Sequence, residues 1–297
     1  MPESADESLS PRAERTLELM HRWGYAPTVE TLADELMGGP VPTGQLRDAI
    51  TASGSLVLID GFVCARGKET LLGISRDRER TNRLVNGTAK AIGQEFANAL
   101  IRACPFVDCV ALSGSVASGG YVPSDDIDFD LFVHDGTKYL TYAVSLALGL
   151  AFSIRYANGG PLRKIICINV IWTRKQAFLF VRNDADLAFE LLHCKPIFGA
   201  PYFQQVIRRN DWISRFFPQV AANLGPEVAH PNPSFTGRCL GWIVTHPRIL
   251  GLVERAGRGL SFVVYQAVHW LRRHDLEAMD RLAFLQRAKY PYEVFQD

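Results

Sequence analysis

The stretch from Gly114 to Val133, GSVASGGYVPSDDIDFDLFV, constrains this chain more than any other part of it. Its second half alternates like a β-strand, and a strand sends every second side chain to the same face. Asp126, Asp128 and Asp130 therefore share one face, with Ile127, Phe129 and Leu131 on the other. Three carboxylates on one stripe cannot be buried together as anions without a cation, because desolvation and mutual repulsion both oppose it. The plain alternative is a solvated edge strand, whose exposed face tolerates charge.

The upstream loop shifts the balance toward a site. Positions i and i+2 of a strand have Cα atoms roughly 7 Å apart, so two carboxylates can reach divalent ions lying between them. Gly114 permits close backbone approach by a phosphate, and Ser115 offers a hydroxyl and an amide where a short helical turn begins, to be ended by Gly119-Gly120. Asp126 and Asp128 are thus the candidate catalytic and metal-binding residues, and Gly114 and Ser115 the candidate nucleotide-binding ones.

A hydrophobic residue, Gly114-Ser115, ten residues and then Asp126-Ile127-Asp128-Phe129 together resemble the signature of the nucleotidyltransferase superfamily typified by DNA polymerase β. The resemblance implies transfer of a nucleoside monophosphate from a nucleoside triphosphate, ATP first among them, to an acceptor, with Mg2+ (or Mn2+) as cofactor and pyrophosphate as the leaving group. Asp128-Phe129-Asp130-Leu131 meets the same pattern at twelve residues. Asp126 and Asp128 are preferred because members usually continue from Asp-Ile-Asp into an apolar strand, which leaves Asp130 one step deeper.

Many active members carry a third carboxylate on a later strand. In KIICINVIW the polar side chain within the apolar core is Asn169, which can ligate a metal through its amide oxygen but cannot act as a general base. Either the metal alone activates the acceptor, or a base comes from elsewhere, or activity is lost. An amide hydrogen bonded within the sheet is the simpler role for Asn169. A non-catalytic nucleotide-sensing or DNA-binding regulator with a degenerate domain is therefore the competing function.

Around this centre the chain divides into a module over residues 10–75, a core over 76–173 and a helical region over 174–297. Ser10-Pro11, Thr28 and Thr43 each start a short helix, and Asp60-Gly61 is a hairpin turn between strands. Three helices and a hairpin are the parts of a winged helix. The third helix and hairpin offer only Arg47, Arg66 and Lys68, which favours a scaffold over a DNA reader. A long amphipathic helix from Arg76 to about Ala103 follows, with Leu84, Ala91, Phe96, Leu100 and Ile101 as core positions. The expected fold is α+β: this winged-helix-like module, a small mixed sheet of the nucleotidyltransferase kind, and a helical cap. Outside the motif itself, this chain resembles a bacterial group of nucleotidyltransferase-domain proteins in Cys167-Ile168-Asn169, Lys195-Pro196 and Asn210-Asp211-Trp212, over roughly residues 14–218.

A formal charge of +1 supplies no global field to hold nucleic acid or an anionic membrane. The polar, acidic N-terminus lacks the pattern of a signal peptide, so a cytoplasmic location is expected. The uncharged run from Tyr139 to Ile154 falls short of the roughly 20 apolar residues of a spanning helix and reads as a buried helix. Six scattered cysteines form no CxxC pair and read as small buried hydrophobes. His134-Asp135 and His274-Asp275 read as surface polar pairs, Arg163, Lys164 and the arginines from Arg76 to Arg83 as a solvated face, and Trp212, Phe216 and Phe217 as core aromatics.

Overall fold

A computed structural model describes residues 8–156, 165–222 and 231–271 of the 297-residue chain. Arg163, Lys164 and His274-Asp275 lie outside them. The Asp60-Gly61 signal forms the tight turn expected of it: both residues have positive φ, 52° and 84°, and Ile59 faces Phe62 across the ends of β1 (Leu56–Ile59) and β2 (Phe62–Ala65). Nothing lies within 4 Å of a Cβ built at Gly61. Gly61→Ala should therefore carry backbone strain alone, about 1–2 kcal/mol, read from the urea midpoint.

Ahead of the hairpin run α1 (Leu9–Arg22), α2 (Val29–Asp34) and α3 (Thr43–Ala52). Thr28 caps α2 by accepting a hydrogen bond from the Thr31 amide at 3.2 Å. Thr43 does not cap α3: Pro42 occupies the cap position and Thr43 is already helical. In α4 (Thr70–Ala103), Ala89, Gly93, Phe96, Ala97, Leu100 and Ile101 form the buried stripe. Leu84 is 82% exposed and Ala91 is exposed as well, contrary to the sequence expectation. A seven-residue step keeps these two together on the helix face opposite Gly93 and Phe96.

The central elements are β3 (Val107–Ser113), α5 (Gly114–Ser118), β4 (Ile127–Val133), α6 (Lys138–Tyr156) and β5 (Ile166–Thr173). After α7 (Arg174–Phe178) and α8 (Ala185–His193) comes β6 (Lys195–Phe198), a strand in a region the sequence reads as helical. It pairs antiparallel with β3 at the sheet edge, where Pro196 is tolerated. The sheet order is β5-β4-β3-β6, with β4 and β5 parallel and joined by the α6 crossover. Next come α9 (Ala200–Arg209), α10 (Trp212–Phe216), a 3-10 turn at Pro218–Ala222, α11 (Phe235–Val244) and α12 (Pro247–Leu271). The fold is mixed α+β with one small mixed sheet.

Each sheet face has its own core. Leu112, Ile127, Phe129 and Leu131 pack toward α4 and α6, with the Phe96 and Phe129 rings 4.8 Å apart. On the other face, Cys109, Ala111, Phe132 and Trp172 join one cluster with Leu17, Met20 and Leu32 of the N-terminal helices and Phe189, Leu192 and Phe203 of α8 and α9. An ion pair spans this cluster: His193 Nε2 lies 3.0 Å from Glu35 Oε2, and His193 Nδ1 2.9 Å from the Phe189 carbonyl. Burial opposes the charge on His193, yet Glu35 beside it raises the imidazole above its ordinary value. Burial likewise opposes ionisation of Glu35, and His193 overcomes it to lower that carboxyl.

Helix α6 forms where expected but is not buried all round. Phe152 and Leu140 face the core, while Leu146, Leu150 and Ile154 are 39%, 55% and 64% exposed. Absence of charge in a helix is thus no guide to burial on every side. Among the described residues no helix is long and apolar enough to cross a membrane.

Candidate metal centre

At the end of β3 the chain turns sharply at Gly114, with φ 58°, into the single turn of α5, which closes at Gly119. The returning loop is held from α4. Arg78 pairs with Asp125, and the Asn82 side-chain oxygen accepts a hydrogen bond from the Tyr121 amide at 3.2 Å. The loop thus delivers Asp126 to the start of β4, where Ser113 faces Asp128 across the antiparallel pair. A Cβ built at Gly114 would stand 2.1 Å from Asp128 Oδ2. Glycine is required because the carboxylate lies directly against the backbone of the turn.

Strand β5 flanks β4 on its other side, and its register sets Cys167 opposite Asp128. One ligand atom from each of Asp126, Asp128 and Cys167 lies within 4.8 Å of the other two. Asp128 is buried, and Asp126 and Cys167 are half-buried. Two oxygen donors and one sulfur donor in this space could hold a metal ion.

Asn169 borders that cluster through Cys167. Pairing shifts between Phe129 and Asp130, so that Phe129 faces Ile168 and Asp130 faces Val170, which leaves Asn169 in the irregularity. Its Nδ2 donates to Ser113 Oγ at 3.0 Å, and its Oδ1 accepts from Cys167 Sγ at 3.5 Å. Both ends of the amide are engaged, as the simpler reading of a sheet asparagine requires.

Asp130 lies deeper on the same face and is fully buried. Ser113 Oγ donates to its Oδ1 at 3.1 Å and Cys194 Sγ to its Oδ2 at 2.9 Å. It also shares a side-chain hydrogen bond with Glu190, itself buried on α8. Burial raises Asp130 to about 7, assisted by the Asp128 charge and opposed by the hydrogen bonds from Cys194, Ser113 and Glu190. A hydrogen bond between two carboxyl groups needs one proton between them, so Asp130 and Glu190 carry at most one negative charge together.

Ser115 Oγ is buried and has no hydrogen-bond partner. The turn therefore presents a hydroxyl whose bonding capacity is unspent. Elsewhere, His134 belongs to a structural cluster at the far end of the sheet: Arg174 grips Asp108 with two bonds of 2.8 and 2.6 Å and lies 2.6 Å from His134 Nε2. Burial opposes charge on Asp108, but the bonds from Arg174 and His134 lower its carboxyl below the ordinary range. Trp212 and Phe217 pack against Phe180 and Phe189 as core aromatics.

No family model, curated protein or solved structure matches this chain. Its site must be understood from its own residues. Asp126, Asp128, Gly114 and Ser115 were legible in the sequence, whereas Cys167 entered there only as part of the Cys167-Ile168-Asn169 resemblance, with no role in a site, and Glu190 and Cys194 had none either. A cysteine in an apolar strand looks like a packing residue, and only the cross-strand register sets Cys167 beside two aspartates.

Proposed function

We propose that this chain is a metal-dependent nucleotidyltransferase of the polymerase β type. It would move a nucleoside monophosphate from a nucleoside triphosphate, ATP first among them, to an acceptor hydroxyl. The observation that carries the reading is the contact of Gly114 with Asp128, because it brings together two halves of a motif otherwise related only by spacing.

The donor set fits a divalent cation, which Asp126, Asp128 and Cys167 would hold; the resemblance names Mg2+ or Mn2+. When bound, such an ion neutralises charge on the phosphates. The residues of the chain do the positioning. Ser115 offers its unpartnered hydroxyl to a phosphate oxygen, and Arg78 fixes the loop that carries Asp126 through its pair with Asp125. The acceptor oxygen forms a bond to the α-phosphorus, the bond to the bridging oxygen breaks, and its electron pair leaves with pyrophosphate. Neither Asn169, an amide, nor Asp130, fully buried in bonds to Ser113 and Cys194, is placed to take the acceptor proton, which passes to water or to a group brought by the acceptor.

The N-terminal helices and hairpin, read as a winged-helix-like module, serve as a scaffold in this proposal. Arg47 lies 3.6 Å from Glu30, and Arg66 donates to the Gly54 carbonyl at 2.9 Å, so two of the groups needed to meet DNA phosphates are already engaged. The competing regulator draws its support from the engaged Asn169 amide, which leaves no base at that position.

Pyrophosphate release, measured with Mg2+ or Mn2+, the four nucleoside triphosphates and a cell extract as acceptor source, tests the proposal. Asp126→Asn and Asp128→Asn are each expected to lower the rate at least about 100-fold. Equal background from wild type and variants would refute transfer under those conditions. Salt-sensitive duplex DNA binding that survives both substitutions would favour the regulator.

A further inference from the structure

We infer that Cys167 sets the metal preference of this centre, as a third donor that favours a thiophilic divalent cation over Mg2+. The inference rests on the reading that Asp126 and Asp128 hold a metal ion. Three features of the site carry it. The parallel register places Cys167 opposite Asp128, and its sulfur shares a 4.8 Å space with a carboxylate oxygen of each aspartate. Asn169, the oxygen ligand that the sequence offers on this strand, is occupied by Ser113 and by Cys167 itself. Among the described residues, the further carboxyl group on that face of β4, Asp130, is fully buried in bonds to Ser113, Cys194 and Glu190.

Mg2+ is a hard ion that takes oxygen ligands and gives up its water reluctantly, so a sulfur neighbour adds little to its binding. Zinc, cobalt and cadmium accept sulfur readily, and Mn2+ lies between them and magnesium. With two carboxylates and a thiol, the site keeps enough oxygen character to bind a range of divalent ions and gains from sulfur only for the softer ones. In the metal-free chain the Cys167 thiol donates to the Asn169 amide oxygen, a bond given up when the thiol releases its proton to bind a metal, while the Asn169 amide nitrogen ties that strand to Ser113.

The test titrates the full chain with Cd2+, and separately with Mg2+, in a phosphine reductant that does not compete as a thiol. Cys239 is the exposed cysteine, so Cys239→Ser serves as the background. Cd2+ is expected to produce a near-ultraviolet sulfur-to-metal absorption band. Adding Cys167→Ser, which replaces sulfur by oxygen, should remove that band and weaken Cd2+ at least about tenfold without weakening Mg2+. An unchanged band and Cd2+ affinity after Cys167→Ser would overturn the inference. If that variant does not fold, the Cys239→Ser chain decides: Cd2+ should shield Cys167 from alkylation by iodoacetamide and Mg2+ should not, and equal alkylation with both ions overturns the inference. Asp126→Asn separates the two levels. Loss of both ions with that variant upholds the metal reading whatever Cys167 does, whereas a chain that binds neither ion refutes both.

Discussion

Gly114→Ala is expected to abolish divalent-cation binding and to destabilise the fold by several kcal/mol. Two costs combine at this position. A φ of 58° disfavours any side chain by roughly 1–2 kcal/mol. The new methyl group would then stand 2.1 Å from Asp128 Oδ2, where a buried carboxylate has little room to withdraw, and such overpacking costs on the order of 1–3 kcal/mol. Gly61→Ala is the control, because its φ is also positive but its surroundings are open. In an Asp128→Ala background most of the steric part should go, although the Cβ that remains still stands 3.0 Å from the new methyl group, so Gly114→Ala should fall toward the cost of Gly61→Ala without quite reaching it. Urea unfolding of wild type, the three single variants and the Gly114→Ala/Asp128→Ala double variant measures this directly, and calorimetric titration with Mn2+ measures the site. Equal costs for the two glycines in the wild-type background would show that the close approach to Asp128 carries no energy.

Asp130→Asn is expected to flatten the dependence of stability on pH in metal-free protein. An ordinary aspartate ionises near 3.8, whereas burial raises Asp130 to about 7 in the folded chain. Between those values the folded state keeps a proton that the unfolded state has released, so raising the pH favours unfolding. The contribution of the neutral acid is fully present below the unfolded value and is lost as pH rises through about 7, a change on the order of a few kcal/mol. Asparagine keeps an acceptor for Ser113 and exchanges the oxygen that accepts from Cys194 for an amide nitrogen, without a charge to bury. The variant should match wild type near about pH 4 and exceed it in stability near about pH 8, as read by chemical unfolding after chelation. The Glu35 and His193 pair titrates in both chains, so its effect cancels in the comparison. Parallel profiles for the two proteins would show that Asp130 does not hold its proton.

What could be read from the sequence was local. The Asp60-Gly61 turn, the Thr28 cap and the period-2 face of β4 each depend on a few neighbouring residues, and each takes the form those residues favour. Gly114 was legible as a special position, though for the approach of a ligand rather than of the Asp128 side chain. Long-range features escaped. The partner of Asp128 on β5 depends on a parallel register and on the irregularity after Phe129, neither of which leaves a mark in KIICINVIW. Strand β6 is four residues long and contains a proline, so neither its period nor its composition separates it from the helices around it. Leu84 and Ala91 were misplaced for another reason: an apolar side chain at helical spacing identifies a face but does not say which face meets the sheet.

The parallel pairing of β4 with β5 has a consequence for how the centre comes into being. Asp126 and Asp128 meet Cys167 only after the whole α6 crossover has been laid down, and contacts between segments so far apart in the chain are slow to form. A hairpin of β3 and β4 could fold early and would still lack the sulfur. The proposed metal site therefore gains its sulfur donor late in folding, and the Cd2+ absorption band would time the completion of the sheet.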